Sequence, residues 1–370
     1  MANLYFRTAG SGVWNVASNW SLTDGGTGDG AVPTSADAVF FTALSRDCNM
    51  GVAGSVLTID FTGYTGTLTI TTFAISVYGT TLTLSPTMTI VATTGGFTMR
   101  ATSSIRSNGK AIPNLTNITG AATFTLLDNL TITGNLTTVT SGTKTFNGFT
   151  MYIGGNLTLA VAIAGTTNIV LNGTGTWSGN FSIANNLSID TLGTLTVSGT
   201  VNADNLTYVK GTLVTTGSIL SYAAISGTYD LRGSTWGTIY CGIGTGNSTI
   251  NFTSGFVCSN LILNPNISLS SVIVNFTPGF TYRATTSFVC TITSSDTLAG
   301  KTFRSSVAGT RATLTLDAGA VCTVEYTTFT DIDASNGRTI WVFGRAAITN
   351  SLNINTYGDP ISTTAKSFVS

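Results

Sequence analysis

The chain has no histidine and a single glutamate, Glu325, and only 8% of its 370 residues are charged. Without histidine there is no Ser-His-Asp triad, no Cys-His pair and no histidine-held metal. Its 15 Lys and Arg balance 15 Asp and Glu without forming a basic stripe, so nucleic acid is not an expected partner. Mean hydropathy is positive at +0.34, yet no run of about 18 apolar residues exists to cross a bilayer, so no membrane insertion is expected. The opening MANLYFRTAGSG lacks a basic n-region and an apolar h-region. It therefore reads as a protein made in the cytoplasm without a signal peptide. No GxxxxGK[ST] loop or dinucleotide fingerprint appears, and no cofactor is expected. The five cysteines, Cys48, Cys241, Cys258, Cys290 and Cys322, form no CxxC pair. Four sit in apolar or alternating contexts, and the expectation is buried free thiols in a reducing compartment.

What is present points to strands. Thr makes up roughly a fifth of the residues, beside 42 Gly and abundant Ser, Asn, Leu, Ile and Val. Strong helix formers are almost absent and β-branched residues are everywhere. Runs such as Val56–Phe61 (VLTIDF), Thr81–Val91 (TLTLSPTMTIV) and the segment from Ala312 (ATLTLDAGAVCTVEYTTF) alternate Leu, Ile or Val with Thr or Ser. That is the period of a strand with one buried face. Gly, Asn or Ser-Gly punctuates these runs every five to ten residues or so.

Asn-Leu-Thr recurs at Asn114, Asn129, Asn135, Asn156 and Asn205, with Asn-Leu-Ser at Asn186. As a pattern each is an N-glycosylation acceptor. Without a secretion signal the motif reads instead as shape: Asn at a turn, Leu into the core, Thr outward, repeated along a stack. Asn-Gly at Asn108, Asn147, Asn172 and Asn336 leaves hairpins of a sandwich or barrel open. The long, weakly periodic pattern favours an all-β, single-stranded right-handed parallel β-helix, a β-solenoid. Composition divides it into an N-terminal cap or docking module (1–50), the helix proper (51–325) and a C-terminal cap (326–370).

Chemistry has few candidates. Asp331 and Asp333 lie two apart and would share one face of a strand, with Glu325 near in sequence. They are the candidate acids of a glycosidase, and Tyr326, Phe329 and Trp341 the aromatics that could stack on sugars. The plainer reading is a turn at a solvated edge. The loop Asp24–Gly30 (DGGTGDG) resembles the glycine-rich calcium turns of another β-helix family, with its aspartate one position early. Asp24 and Asp29 are its candidate metal ligands, and a surface loop is the expectation.

The opening carries the most specific pattern. Gly12–Phe41 (GVWNVASNWSLTDGGTGDGAVPTSADAVFF) contains W-N-x-x-x-N-W-S, a Gly-rich loop, then V-P-x-x-x-D-x-V-x-F. It resembles the entry module of autotransporter-type passenger repeats. It is more similar still to β-helical virion structural proteins of tailed bacteriophages, which share phrases like Thr174–Gly179 (TGTWSG) and Asn108–Pro113 (NGKAIP). That resemblance implies a virion location and a non-enzymatic role as spike, fibre or capsid-decorating projection. Its implied partners are other copies of the chain, as a homo-oligomer with a trimer favoured, and other virion proteins. The alternatives are a receptor-binding tailspike that holds a host surface polysaccharide, with or without cleaving it, and a bacterial surface adhesin. On physical grounds Trp14 and Trp20 suit the covering of an open solenoid end, and Pro33, which cannot donate to a ladder, suits its edge.

Overall fold

The computed structural model describes residues 1–7, 12–117, 123–138, 144–159, 163–222, 226–241, 247–263, 271–291, 301–344 and 346–357, with backbone alone at 163–167, 179–185, 216 and 222. Among these residues all regular structure is strand, save one short 3-10 turn at Ala17–Asn19. The chain forms two compact units, Met1–Thr196 with Lys210–Thr212, and Val197–Val209 with Leu213–Ser370. Each is a parallel β-solenoid, in which a strand bonds to its equivalent one coil later.

In the first unit three such ladders run side by side. One passes through Ala38–Phe40, Thr58–Asp60, Thr81–Thr83, Ser103–Arg106 and Phe124–Leu126. A second joins Cys48–Asn49, Thr67–Thr71 and Thr89–Ala92. The third joins Gly54–Val56, Ala74–Val77, Gly96–Met99, Leu115–Asn117, Leu136–Thr138 and Leu157–Leu159. Register places apolar residues in single file. Val39, Ile59, Leu82, Ile105 and Leu126 form one column, and Ile75, Phe97, Leu115, Leu136, Leu157 and Trp177 another. All are buried. Each such side chain contributes roughly 1.5–3 kcal/mol by leaving water.

The Asn-Leu-Thr repeat explains itself in this register. Asn114 Oδ1 accepts the backbone N–H of Asn135 at 2.7 Å, Asn135 Oδ1 that of Asn156 at 2.8 Å, and Asn156 Oδ1 that of Thr176 at 2.7 Å. Asn129 and Asn205 do the same for Thr150 and Thr228, both at 2.8 Å. The following Leu enters the core, and Thr116, Thr137 and Thr158 line up outside. The motif ties one coil to the next. Two Asn-Gly pairs, at Asn108 and Asn147, turn corners with positive φ at both residues (49° and 76°, 50° and 79°). They join strands of different ladders, so the hairpin alternative fails.

The second unit carries larger core residues. Its ladders run through Ser226–Asp230, Ser248–Phe252, Val272–Phe276, Lys301–Ser305 and Thr327–Thr330, and through Thr235–Cys241, Phe256–Leu263 and Thr281–Cys290. Phe252, Phe276, Phe303 and Phe329 stack in sequence, with centroids 5.8, 6.1 and 5.4 Å apart.

The first unit begins differently. Strand β1 (Asn3–Phe6) lies antiparallel to β2 (Trp20–Ser21) and parallel to β3 (Ala38–Phe40). Among the described residues this is the one antiparallel pair, and it puts β2 at the edge of the ladder. In the last zone, Ile340–Phe343 pairs in parallel with Val321–Glu325 on one side and Ile354–Tyr357 on the other. Pro360 lies outside the described residues.

Substitutions should separate the two kinds of rung contact. Phe276→Ala, which opens the phenylalanine stack, is expected to lower unfolding free energy by about 3–5 kcal/mol in denaturant titration. Asn135→Ala removes one coil-to-coil acceptor and should cost about 1 kcal/mol, while Asn135→Asp, which keeps the acceptor, should cost less. Equal losses for Ala and Asp would mean that the side-chain oxygen is not what matters.

Candidate functional site

Three places held candidate residues, and each has a definite geometry. In the N-terminal module Trp14 and Trp20 are 1% and 0% exposed. They meet edge to face at 4.9 Å, and Trp20 Nε1–H donates to the Trp14 carbonyl at 2.7 Å. Phe6 and Phe41 complete the cluster, with ring centroids 5.0 Å apart. Pro33 is buried beside them in sequence order, before β3. The other motif residues have fixed tasks: Asn19 Nδ2 donates to the Val13 carbonyl, and Asp37 accepts from Ala2 N–H and from Thr34.

The Gly-rich loop folds back on this module. Asp24 accepts from Thr42 Oγ1 at 2.8 Å; Asp29 accepts from Ser21 Oγ at 2.7 Å and from Leu22 N–H at 3.1 Å. Those bonds, the serine hydroxyl first, hold the Asp29 carboxyl below its usual range. Arg7 reaches across to the Gly26 and Ser18 carbonyls. Gly28, at φ +90°, has the Ser18 carbonyl oxygen 2.6 Å from where a Cβ would stand, so only glycine fits. The two aspartates organise the loop separately. Among the described residues no group of three or more His, Cys, Asp or Glu gathers as a metal site would need.

The acids of the last zone are also apart in their roles. Asp331 sits at φ 55° and is 5% exposed. Its Oδ1 accepts from Asn350 Nδ2 at 2.6 Å and its Oδ2 from Gly309 N–H at 2.9 Å. Asp333 accepts from the Ser335 backbone and hydroxyl, closing a tight turn. Both carboxyls are held low, chiefly by Asn350 for Asp331 and by the Ser335 hydroxyl for Asp333, with the Arg311 charge assisting. A general acid needs the opposite shift. Glu325 lies opposite Phe343 in the ladder. Of the aromatics, Phe329 is fully buried against Phe303, so it cannot stack on a sugar. Strand alternation puts it on the core face, while Tyr326 and Trp341 are half-buried.

Asp331 alone of these acids lines a polar groove of about 390 Å³. On its opposite side Asn251, Asn275 and Arg304 follow one another in register. Asn275 Nδ2 donates to Asn251 Oδ1 and Arg304 Nε to Asn275 Oδ1, both at 2.7 Å. Sequence reading missed this file. Its signal was the repeated phrase Asn251–Phe256 (NFTSGF) and Asn275–Phe280 (NFTPGF), spaced one coil apart. All five cysteines are free thiols, and burial raises that of Cys290 to about 11 and that of Cys241 to about 12. Such thiols are poor nucleophiles.

The aspartate shifts set an acid limit. Asp29, Asp37, Asp317, Asp331 and Asp333 all lie below the ordinary 3.8 in the folded chain. A depressed carboxylate stabilises fully above its unfolded value and loses that contribution as pH falls through its folded value. The melting temperature should therefore hold from about pH 6 to about pH 4.5 and fall below about pH 4. Asp331→Asn, which tolerates the same positive φ, should melt lower than the parent at about pH 6. The gap should close in acid. A gap that stays constant with pH would show that the carboxylate charge is not involved.

Comparison of the chain with family models, with curated proteins and with solved structures gave no match.

Proposed function

We propose that this chain is a non-enzymatic structural component of a tailed-phage virion, a spike, fibre or capsid-decorating projection. One observation supports a structural role above the others: the polar side chains that chemistry would need are engaged in holding the solenoid. The Asn-Leu-Thr asparagines bond the next coil, Asp29 and Asp333 close turns, and Asp331 ties Gly309 to Asn350. The assignment to a virion rests on the resemblance of Gly12–Phe41 to the opening of phage β-helical proteins. The partners on this reading are further copies of the chain, as a trimer, and neighbouring virion proteins. A tailspike that cleaves polysaccharide would need a raised acid beside a second carboxylate, and the depressed Asp331 and Asp333 do not favour it.

Immunogold electron microscopy with antibody to this chain should label purified particles from a lysate of cells expressing the gene's own phage. Sedimentation of the isolated chain should give a species of about three times 38.2 kDa. Particles without label would overturn the virion role, and a monomer would overturn the trimer. Shortening of host polysaccharide by the purified protein would overturn the non-enzymatic reading.

A further inference from the structure

A second, larger groove also lies in the second unit, lined by the corners at Arg232, Ser254 and Phe280, and nothing in the structural role explains it. We propose that it binds the pyranose ring of a neutral saccharide, between the Phe280 ring and the Arg232 side chain. The groove has a volume of about 810 Å³, within the range of small-molecule sites.

Its origin is a difference in corner length. From Phe252 the chain takes four positions to reach Phe256, which is buried. One coil later it takes six positions from Phe276, the partner of Phe252, to Tyr282, the partner of Phe256. The phrases NFTSGF and NFTPGF are otherwise alike. The longer corner gives the core position to Tyr282 and leaves Phe280 outside, 43% exposed. The short corner Thr253–Ser254–Gly255 becomes the recessed floor. Gly255 permits it, since a Cβ there would stand 2.5 Å from the Thr281 carbonyl oxygen. On the far side, the preceding coil turns at Arg232 with φ 45°.

The corners that carry both walls are tied to their neighbours before any ligand arrives. Ser254 Oγ accepts the Arg232 N–H at 2.7 Å, and Gly233 N–H donates to the Gly255 carbonyl at 2.7 Å. Opposite, the buried Tyr282 hydroxyl takes the Thr277 N–H at 2.9 Å and lies 3.1 Å from the Phe252 carbonyl. Preorganised walls reduce the entropy lost on binding. Their coils are two rungs apart, about 9–10 Å. A flat ring in van der Waals contact with both faces needs roughly 7–8 Å.

Charge decides the ligand class. Arg232 Nε lies 3.3 Å from Asp230, and Arg283 makes a two-point contact with Asp317 at 2.8 and 2.9 Å. Each cation faces its own carboxylate, so the groove has no surplus charge to recruit a phosphate or a polyanion. It does hold donors and acceptors side by side, as vicinal hydroxyls require: each guanidinium has five N–H groups, of which Arg232 spends one on the Val209 carbonyl and one on Asp230, and the Thr253 and Thr281 hydroxyls in the lining can accept. An extended peptide finds no open edge, since Ser226–Asp230, Ser248–Phe252 and Val272–Phe276 are already paired to one another. A sugar ring has the apolar C–H face that Phe280 would cover.

The test is a printed array of short neutral oligosaccharides of glucose, galactose, mannose and rhamnose, probed with the full-length chain. Binding to at least one is expected, with Phe280→Ala about tenfold weaker and Phe280→Trp retaining it. Val307→Ala, an exposed apolar residue at another corner, should bind as the parent does. Phe280 is exposed, so an unchanged melting temperature will show that Phe280→Ala is folded. Failure to bind any neutral sugar, undiminished binding by Phe280→Ala, or binding of anionic glycans alone with competition by inorganic phosphate would each overturn the assignment. The groove's ligand does not depend on the virion role, and the particle-labelling result leaves it untouched.

Discussion

A coil of parallel strands can satisfy its backbone only through the coil before it and the coil after it. Hydrogen bonds within one coil are few, so register between coils governs everything else. A slip by one residue would turn every apolar side chain outward. The columns of Val39, Ile59 and Leu82, and of Leu115, Leu136 and Leu157, show how this is prevented. Each rung buries the same kind of residue over its predecessor. The asparagine oxygens add a second fixing point at the strand entries, because an Asn shifted by one position would miss its N–H.

The same constraint explains the composition. Outward positions need β-branched, hydroxyl-bearing residues that pack on a pleated face, and Thr meets both needs. Charges stacked on themselves every rung would repel at about 4.8 Å, so a solenoid with in-register faces keeps them few. The ion pairs that do occur follow that logic. Lys210 meets Asp190 at 3.3 Å and Arg283 meets Asp317, opposite signs in each case. At the start of the first unit the antiparallel β2 ends the ladder, and the Arg7-braced loop behind it carries the N–H of Gly30 to the Trp20 carbonyl. An edge covered in this way offers little to another sheet.

How much of this was legible in the sequence depended on which rule decided each residue. Strand alternation is local, so the all-β class, the core leucines and the shape reading of Asn-Leu-Thr could be taken from the letters. The buried tryptophans were marked by their spacing in the opening motif. What lay beyond reach depended on corner length. Phe256 and Phe280 occupy the same place in nearly the same phrase, yet one is buried and the other exposed. Alternation cannot tell them apart, because the difference arises from where the next strand resumes its register. Phe329 was misjudged as surface-facing for the converse reason: proximity to the acids in sequence says nothing of the face it occupies. Asp331 and Asp333 looked paired because they are two apart, but the positive φ of Asp331 turns the chain between their strands.

Corners are thus where such a chain is free to differ from coil to coil. A strand position is constrained by two neighbouring rungs, whereas a corner must only deliver the chain to the next strand in register. The two extra residues before Tyr282 leave the pairing of Phe252 with Phe276 and of Phe256 with Tyr282 intact. They nevertheless move an aromatic ring from core to surface and create a recess beside it. Ladder faces, by contrast, have their polar atoms engaged rung after rung, as the file of Asn251, Asn275 and Arg304 shows. In this chain a corner of unequal length is therefore where the surface can change while the neighbouring ladder pairs stay in register.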